Sequence, residues 1–155
     1  MSATMTAAAM QPGAEWKSRF RSMTRERMRW YCDALDTAVE NDGKFYIAGP
    51  TIHNDDEYAK KQGLSAIIAD GMISTNWIYG FLLDTFGPAF LRRGELSTKY
   101  VKPTFEDQKV RSCARLRDAS PAEDGVMRYD LDVWCEDDAG TVLTAGAAAV
   151  FLPKD

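Results

Sequence analysis

Apolar and polar side chains alternate along most of the second half of the chain. In residues 109–117 every second side chain, from Val110 to Leu116, is small or apolar, and the others are basic except for Cys113. Residues 126–136 repeat the alternation. A period of two is typical of β-strands that present one face to a core. With the turn signals between them, these patterns predict an antiparallel sheet built from residues 94–102, 109–117, 126–136 and 141–152.

The first half of the chain is predicted to be mainly helical. Thr24 can cap a helix over residues 24–39, in which apolar side chains recur at four-residue spacing. Residues 55–62 predict a short helix that ends at Gly63, because glycine is common just after a helix. Between them, residues 44–48 predict a short strand.

Residues 72–83, with the sequence MISTNWIYGFLL, are apolar almost all the way round a helix. A helix of this kind is normally buried. In a chain of this size, the four predicted strands are the only segment long enough to cover it. Helices followed by a meander of strands predict an α+β domain in which a curved sheet wraps one central helix.

Size and charge narrow the class of protein. The 155 residues are enough for one domain with a core of its own, and we expect a single domain over residues 15–155. Residues 1–14 have neither a basic segment nor an apolar stretch, so we expect a disordered tail rather than a secretory signal. The net charge of -4 argues against nucleic acid as a partner. No apolar run is long enough to span a membrane.

Cysteine and histidine usage bears on the compartment and on metals. The three cysteines are Cys32, Cys113 and Cys135, an odd number without close spacing, so we expect reduced thiols in a cytoplasmic protein. One histidine and scattered cysteines do not provide metal ligands at the usual spacing. We therefore expect no metal site and no bound cofactor.

Several motifs occur in the order found in the MaoC-like and (R)-specific enoyl-CoA hydratases. Their pattern is roughly D-x-N-P-x-H-x-D, then Ala, Gly and I-x-H-G-M, followed later by F-x-x-P-V-x-x-G-D-x-V. The chain resembles this family from residue 24 onward, which implies a hot-dog fold. The matching segments are residues 52–55 (IHND), 58–59 (YA), 62–64 (QGL), 68–72 (IADGM) and 100–110 (YVKPTFEDQKV).

The chain departs from the family where the family places its catalytic aspartate. That position is Ala48, and alanine cannot carry a proton. The resemblance implies that His53 is the catalytic acid/base, which suits a side chain that titrates near neutral pH. Asp70 stands where the family has a second histidine. It is expected to cap the following helix, and we predict that it also replaces the missing carboxylate beside His53.

The resemblance also implies a set of substrate contacts. Backbone N–H groups at the helix start suit a thioester carbonyl, and Tyr79 falls where the hydratases carry a serine. The predicted substrate-binding residues are Gly71, Met72, Asn76, Tyr79 and Asp55, the last of which also begins a helix. A basic set is predicted either to hold the phosphates of coenzyme A or to form a solvated face: Arg92, Arg93, Lys109, Arg111, Arg115 and Arg117.

The expected function is hydration or dehydration of an enoyl or 3-hydroxyacyl thioester, with coenzyme A as a carrier of the substrate. Two alternatives stay open. One is a hot-dog enzyme of different chemistry, such as an isomerase, a cyclase or a non-water elimination on a polyketide-like or aromatic substrate. The other is a non-catalytic subunit that binds acyl thioesters. The fold leaves edge strands, so we expect a homodimer or a dimer of dimers.

Overall fold

The computed structural model describes residues 10–35, 38–41, 44–47, 49–123 and 125–154. The chain alternates short helices and strands before ending in three long strands. Its elements, in order, are β1 (Glu15–Lys17), β2 (Arg21–Ser22), α1 (Arg25–Asp33), β3 (Ala38–Asn41), β4 (Lys44–Ile47), α2 (Asp56–Lys61), α3 (Gly71–Phe86), α4 (Pro88–Arg93), β5 (Glu95–Tyr100), β6 (Lys109–Glu123), β7 (Val126–Asp137) and β8 (Val142–Pro153).

The last four strands form the predicted antiparallel sheet, in the order β6-β7-β8-β5, and β1 and β2 extend it beside β6. The predicted inner face is confirmed, since Ala114 and Leu116 of β6 lie opposite Val133 and Leu131 of β7 and all four are buried. Strand β6 continues to Glu123, past residue 117, where the predicted strand ends. Pro121 lies in this part of β6 beside a register shift, where proline is tolerated.

Helix α3 packs on this face of the sheet. Ile78, Leu82 and Phe86 recur every four residues and are buried in the same cluster as Leu131 and Val150. The fold class predicted from the sequence, α+β with an antiparallel sheet around a central helix, is therefore confirmed.

The prediction that α3 is buried on every side is wrong for a single copy of the chain. Met72 is 43% exposed, Tyr79 is 40% exposed, and Asn76 is also exposed. Their spacing of four and then three residues places them on one face of the helix. The sheet covers only the opposite face, so this apolar face stays open to solvent within one copy.

Helix α1 begins where predicted and ends early. Thr24 caps it by accepting a hydrogen bond from the Arg27 N–H at 3.3 Å. The helix stops at Asp33, and the predicted last residues, 38 and 39, lie in β3, which pairs with β4. The hairpin pairing overrides the helical spacing that the sequence shows, because backbone pairing with a neighbouring strand satisfies the same N–H and C=O groups.

A second, smaller cluster ties α1 and α2 to the beginning of α3. It contains Met23, Met28, Ala59, Ile67 and Ile73, all buried. It holds the segment between α2 and α3 in place, and that segment forms part of the candidate site.

Part of the predicted N-terminal tail, residues 10–14, lies within the described residues. Met10 is buried against the main core, and the Gly13 N–H donates to the Leu116 carbonyl at 2.8 Å. These two residues contact the core and the sheet, although residues 11–13 are exposed to solvent. The remainder of the predicted tail, residues 1–9, lies outside the described residues. Within the part that the structure describes, no helix is both long and apolar enough to cross a membrane.

Candidate active site

The loop before α2 positions His53 through its own polar side chains. The Asn54 side-chain oxygen accepts hydrogen bonds from the Thr51 N–H at 2.7 Å and from the Thr51 hydroxyl at 3.0 Å. The Thr51 Oγ1 in turn accepts from the His53 N–H at 3.1 Å. Side chains of this type stabilise tight turns by binding nearby backbone groups. The loop therefore presents the imidazole from a locally braced turn.

The imidazole of His53 is oriented by the backbone just before α3. Its Nδ1 lies 2.8 Å from the carbonyl oxygen of Ile68. A carbonyl oxygen can only accept, so Nδ1 carries the proton and donates it. In the neutral ring the proton is therefore absent from Nε2, which keeps a lone pair for proton transfer.

His53 lines a pocket of about 400 Å³ at the beginning of α3. One wall comes from the segment that follows α2, including Ile68 and Ala69, and the helix contributes Gly71 and Ser74. Another wall is formed by Tyr100, the last residue of β5, and by the residues that follow it. The remaining lining residues are Leu64, Val101, Lys102, Pro103, Thr104 and Thr144.

The helix start supplies backbone donors at this pocket. The first N–H groups of a helix have no intrahelical acceptor and carry partial positive charge. Asp70 satisfies one of them, because its Oδ1 accepts from the Met72 N–H at 2.8 Å. Gly71, the first residue of α3, lines the pocket. The predicted capping role of Asp70 is therefore confirmed.

The predicted pairing of Asp70 with His53 is not formed within one copy of the chain. Among the described residues, no hydrogen bond joins the two side chains, and no aspartate or glutamate lines the pocket. Asp70 instead affects Tyr31 of α1. Burial is the main cause that raises the pKa of Tyr31, and the negative charge of Asp70 raises it further. The catalytic role of Asp70 stays a prediction.

The other predicted contacts lie away from the pocket wall. Asp55 caps α2 by accepting from the Tyr58 N–H at 2.7 Å. Met72, Asn76 and Tyr79 occupy the exposed face of α3, and Gly71 alone of the predicted substrate-binding residues lines the pocket. Ala48, which replaces the family's aspartate, lies outside the described residues.

Apart from His53 and Gly71, the residues that line the pocket were not predicted as site residues from the sequence, and Ser74, Tyr100 and Thr144 are among them. The Ser74 hydroxyl donates to the Gly71 carbonyl at 2.7 Å and lies 2.7 Å from the Thr144 hydroxyl. The Tyr100 ring lies against Gly71, and its hydroxyl donates to the Met72 sulfur at 3.0 Å. Of these three residues, only Tyr100 has a signal in the sequence, since it begins the segment 100–110 that matches the family's motif.

Most of the predicted basic set is neutralised by ion pairs. Arg111 bonds Glu136 through two nitrogens, at 2.8 and 2.6 Å, in a geometry that holds both side chains. The Arg111 charge and hydrogen bonds help to hold the pKa of Glu136 below its ordinary value, against the effect of burial. Similar pairs join Arg93 to Glu123, Arg115 to Glu15 and Arg117 to Asp132. These four arginines therefore fit the solvated face better than a phosphate site.

Comparison of the sequence with protein-family models and with curated proteins finds no match. The fold, in contrast, matches solved structures over nearly the whole chain. The R-hydratase PhaJ1 from Pseudomonas aeruginosa is 16% identical, with 96% of this chain and 85% of that chain covered and a TM-score of 0.70.

A MaoC-like dehydratase from Rhodospirillum rubrum is 13% identical, with 97% of this chain and 98% of that chain covered and a TM-score of 0.74. The HadBC 3R-hydroxyacyl-ACP dehydratase complex from Mycobacterium tuberculosis is 14% identical, covers 91% of this chain and 96% of that chain, and gives a TM-score of 0.62. The chain therefore has the hot-dog fold of the MaoC-like dehydratases and (R)-hydratases, which confirms at the level of the fold the resemblance seen in its motifs.

Proposed function

We propose that this chain is a lyase that adds water to an enoyl thioester or removes it from a 3-hydroxyacyl thioester, with His53 as the proton carrier. The observation that carries the proposal is the orientation of His53. Its Nδ1 proton is held by the Ile68 carbonyl, so Nε2 is the nitrogen free to take up a proton, and the side chain lines a pocket beside the start of α3. The hydratases and dehydratases that share the fold support this class of reaction.

The proton transfers can be carried by one group. In the dehydration direction, Nε2 of His53 takes the proton next to the thioester carbonyl, and the electron pair of that C–H bond forms the double bond. The hydroxyl group leaves with the proton that His53 returns, so water departs and the imidazole is neutral again. The Gly71 N–H is the donor that we assign to the carbonyl oxygen as it becomes an enolate.

A one-base mechanism is proposed because no described acidic residue lines the pocket. Asp70 is the alternative second carrier, either after a rearrangement or from a second copy of the chain. Asp70→Asn separates the two schemes, since asparagine also caps helices and keeps the contact with the Met72 N–H.

The test is hydration of crotonyl-CoA by the pure protein, followed by loss of the enoyl thioester absorbance. We expect wild-type turnover, a loss of roughly 10²- to 10⁴-fold in His53→Gln, and near wild-type turnover in Asp70→Asn. Unchanged turnover in His53→Gln would contradict the assignment of His53. A comparable loss in Asp70→Asn, with an unchanged melting temperature, would replace the one-base scheme by a two-residue scheme.

A second candidate function is a non-catalytic subunit that binds an acyl thioester. Two observations favour it: the sequence has alanine at position 48, and no described carboxylate lines the pocket. HadBC shows that a dehydratase of this fold can be a complex. Saturable binding of crotonyl-CoA without any conversion by the wild-type protein would support this candidate over the lyase.

We further propose that two copies of the chain pair through β5 and the exposed face of α3. Strand β5 ends the sheet and has no neighbour on its outer side among the described strands. Tyr100, the last residue of β5, and Val101 are 51% and 50% exposed, and Met72 and Tyr79 extend this apolar surface along α3. Light scattering coupled to size-exclusion chromatography should give the mass of a dimer, and Tyr79→Lys should shift the mass toward the monomer.

A further inference from the structure

Three arginines meet at a surface pocket that is separate from the His53 pocket. Arg19, Arg21 and Arg27 come from β2, the residues before it and the first turn of α1. Together with Phe20, Ser22 and Trp77 they line a depression of about 480 Å³. None of these residues lines the His53 pocket.

These three arginines differ from most of the others in having no acidic partner. Among the described residues, no carboxylate lies within 4.0 Å of their side-chain nitrogens, and no acidic residue lines the pocket. The chain carries 23 acidic and 19 basic residues, so a shortage of carboxylates is not the reason. Seven arginines do form ion pairs: Arg25, Arg29, Arg93, Arg111, Arg115, Arg117 and Arg128.

Two of the three guanidinium groups are held in place without using most of their donors. The Arg21 guanidinium lies over the Trp77 ring, 5.7 Å from its centre. A contact with the ring face leaves the N–H groups along the guanidinium edge available. Arg27 donates one hydrogen bond to the Ser22 carbonyl and keeps its remaining N–H groups. The pocket therefore has anchored cations with unused donors.

Three positive charges around one depression repel one another, and an anion bound between them removes that repulsion. A guanidinium group fits a phosphate particularly well, because two of its parallel N–H groups match two phosphate oxygens. We propose that Arg19, Arg21 and Arg27 form a binding site for a phosphate ester or a diphosphate. The site goes beyond the proposed lyase function, since it binds its ligand whether or not the His53 pocket converts a thioester.

Helix α3 connects the proposed site with the candidate active site. Trp77, which supports Arg21, follows Ser74 of the His53 pocket by three residues, so the two side chains are neighbours on the helix surface. A phosphorylated ligand at the arginine pocket would therefore lie one helical turn along α3 from the wall of the His53 pocket.

The test is isothermal titration of the full chain with two probes, inorganic pyrophosphate and adenosine 3′,5′-bisphosphate, at low ionic strength. We expect saturable binding of at least one probe and weakening by about tenfold or more in the double variant Arg19→Gln, Arg21→Gln. Arg19 is exposed and Arg21 is partly buried, so circular dichroism and the melting temperature check that the variant is folded. Tighter binding of the bisphosphate points to a nucleotide ligand, and equal or tighter binding of pyrophosphate points to a diphosphate without a base.

Lys61→Gln is the control. Lys61 is exposed and has no carboxylate partner among the described residues, but it ends α2, outside this pocket. The control variant should bind both probes as the wild type does. The proposal is overturned if neither probe binds at millimolar concentration, or if Lys61→Gln weakens binding as much as the double variant. Because the titration needs no thioester and no turnover, failure of this site is distinguishable from failure of the lyase proposal.

Discussion

The ring of Tyr100 packs directly on the backbone of Gly71, so that a Cβ added at position 71 would lie 2.7 Å from three ring atoms. A side chain at position 71 therefore fits only if the half-exposed Tyr100 ring moves. The Tyr100 hydroxyl also contacts the beginning of α3, because it donates to the Met72 sulfur and lies 3.2 Å from the Thr75 hydroxyl.

Gly71→Ala is expected to push the Tyr100 ring away and to destabilise the fold by about 1–3 kcal/mol. In a Tyr100→Ala background the same substitution should be neutral or stabilising, because the clash is gone and alanine favours a helix over glycine. Urea unfolding of the four proteins measures the coupling, which should be about 1 kcal/mol or more. Equal effects of Gly71→Ala in both backgrounds would contradict the contact.

Ser74 and Thr144 form a buried hydroxyl pair in the wall of the His53 pocket. The Ser74 proton is used on the Gly71 carbonyl, so the Thr144 hydroxyl donates to Ser74. Thr144→Val keeps the shape of the side chain and should lower the free energy of unfolding by about 1 kcal/mol. Ser74→Ala leaves the buried Thr144 hydroxyl without an acceptor and should lower the free energy of unfolding by about 1–3 kcal/mol. Urea unfolding of the double variant should show less than the sum of the two losses, and exact additivity would count against the hydrogen bond.

Glu136 makes the stability of the fold depend on pH. Burial by itself raises the pKa of Glu136, but hydrogen bonds from Trp134 and Arg111 outweigh burial and bring it below 4.5. A carboxyl group whose pKa is lower in the folded state stabilises the fold fully above about pH 4.5 and loses this effect as the pH falls through the lowered value.

Glu136→Gln should therefore lower the free energy of unfolding at pH 7 by about 1–3 kcal/mol. The difference from the wild type should shrink as the pH falls below about 4, which urea unfolding at several pH values measures. Asp132→Asn is the control: its pair with Arg117 is 3.3 Å long and exposed, so the loss should stay below about 1 kcal/mol. A Glu136→Gln difference that is the same at every pH would refute the linkage.

The three cysteines are expected to be unreactive in the native protein. Burial raises the pKa of Cys113 to about 12 and that of Cys135 to about 11, and it also raises the pKa of Cys32. The thiolate is the reactive form, so a thiol reagent at pH 8 should react slowly with the folded chain. In denaturant all three thiols should react rapidly, and rapid reaction of any thiol without denaturant would contradict its burial.

Local patterns in the sequence were sufficient for much of the fold. The N-caps at Thr24 and Asp70 were predictable because a cap acts on an N–H group only two or three residues ahead. The inner face of β6 was predictable because successive side chains of a strand point to opposite sides. The helical spacing predicted that residues 38–39 belong to a helix. In the structure they belong to β3, because β3 pairs with β4.

The sequence by itself determined the class of fold, the caps of the helices and the one imidazole available for proton transfer. Only the tertiary structure decided that Ser74 meets Thr144, 70 positions away, and that Arg111 meets Glu136, 25 positions away. It also left Arg19, Arg21 and Arg27 without acidic partners among the described residues. The physical reason is that strand register and helix placement set which distant side chains meet, and no local spacing encodes them.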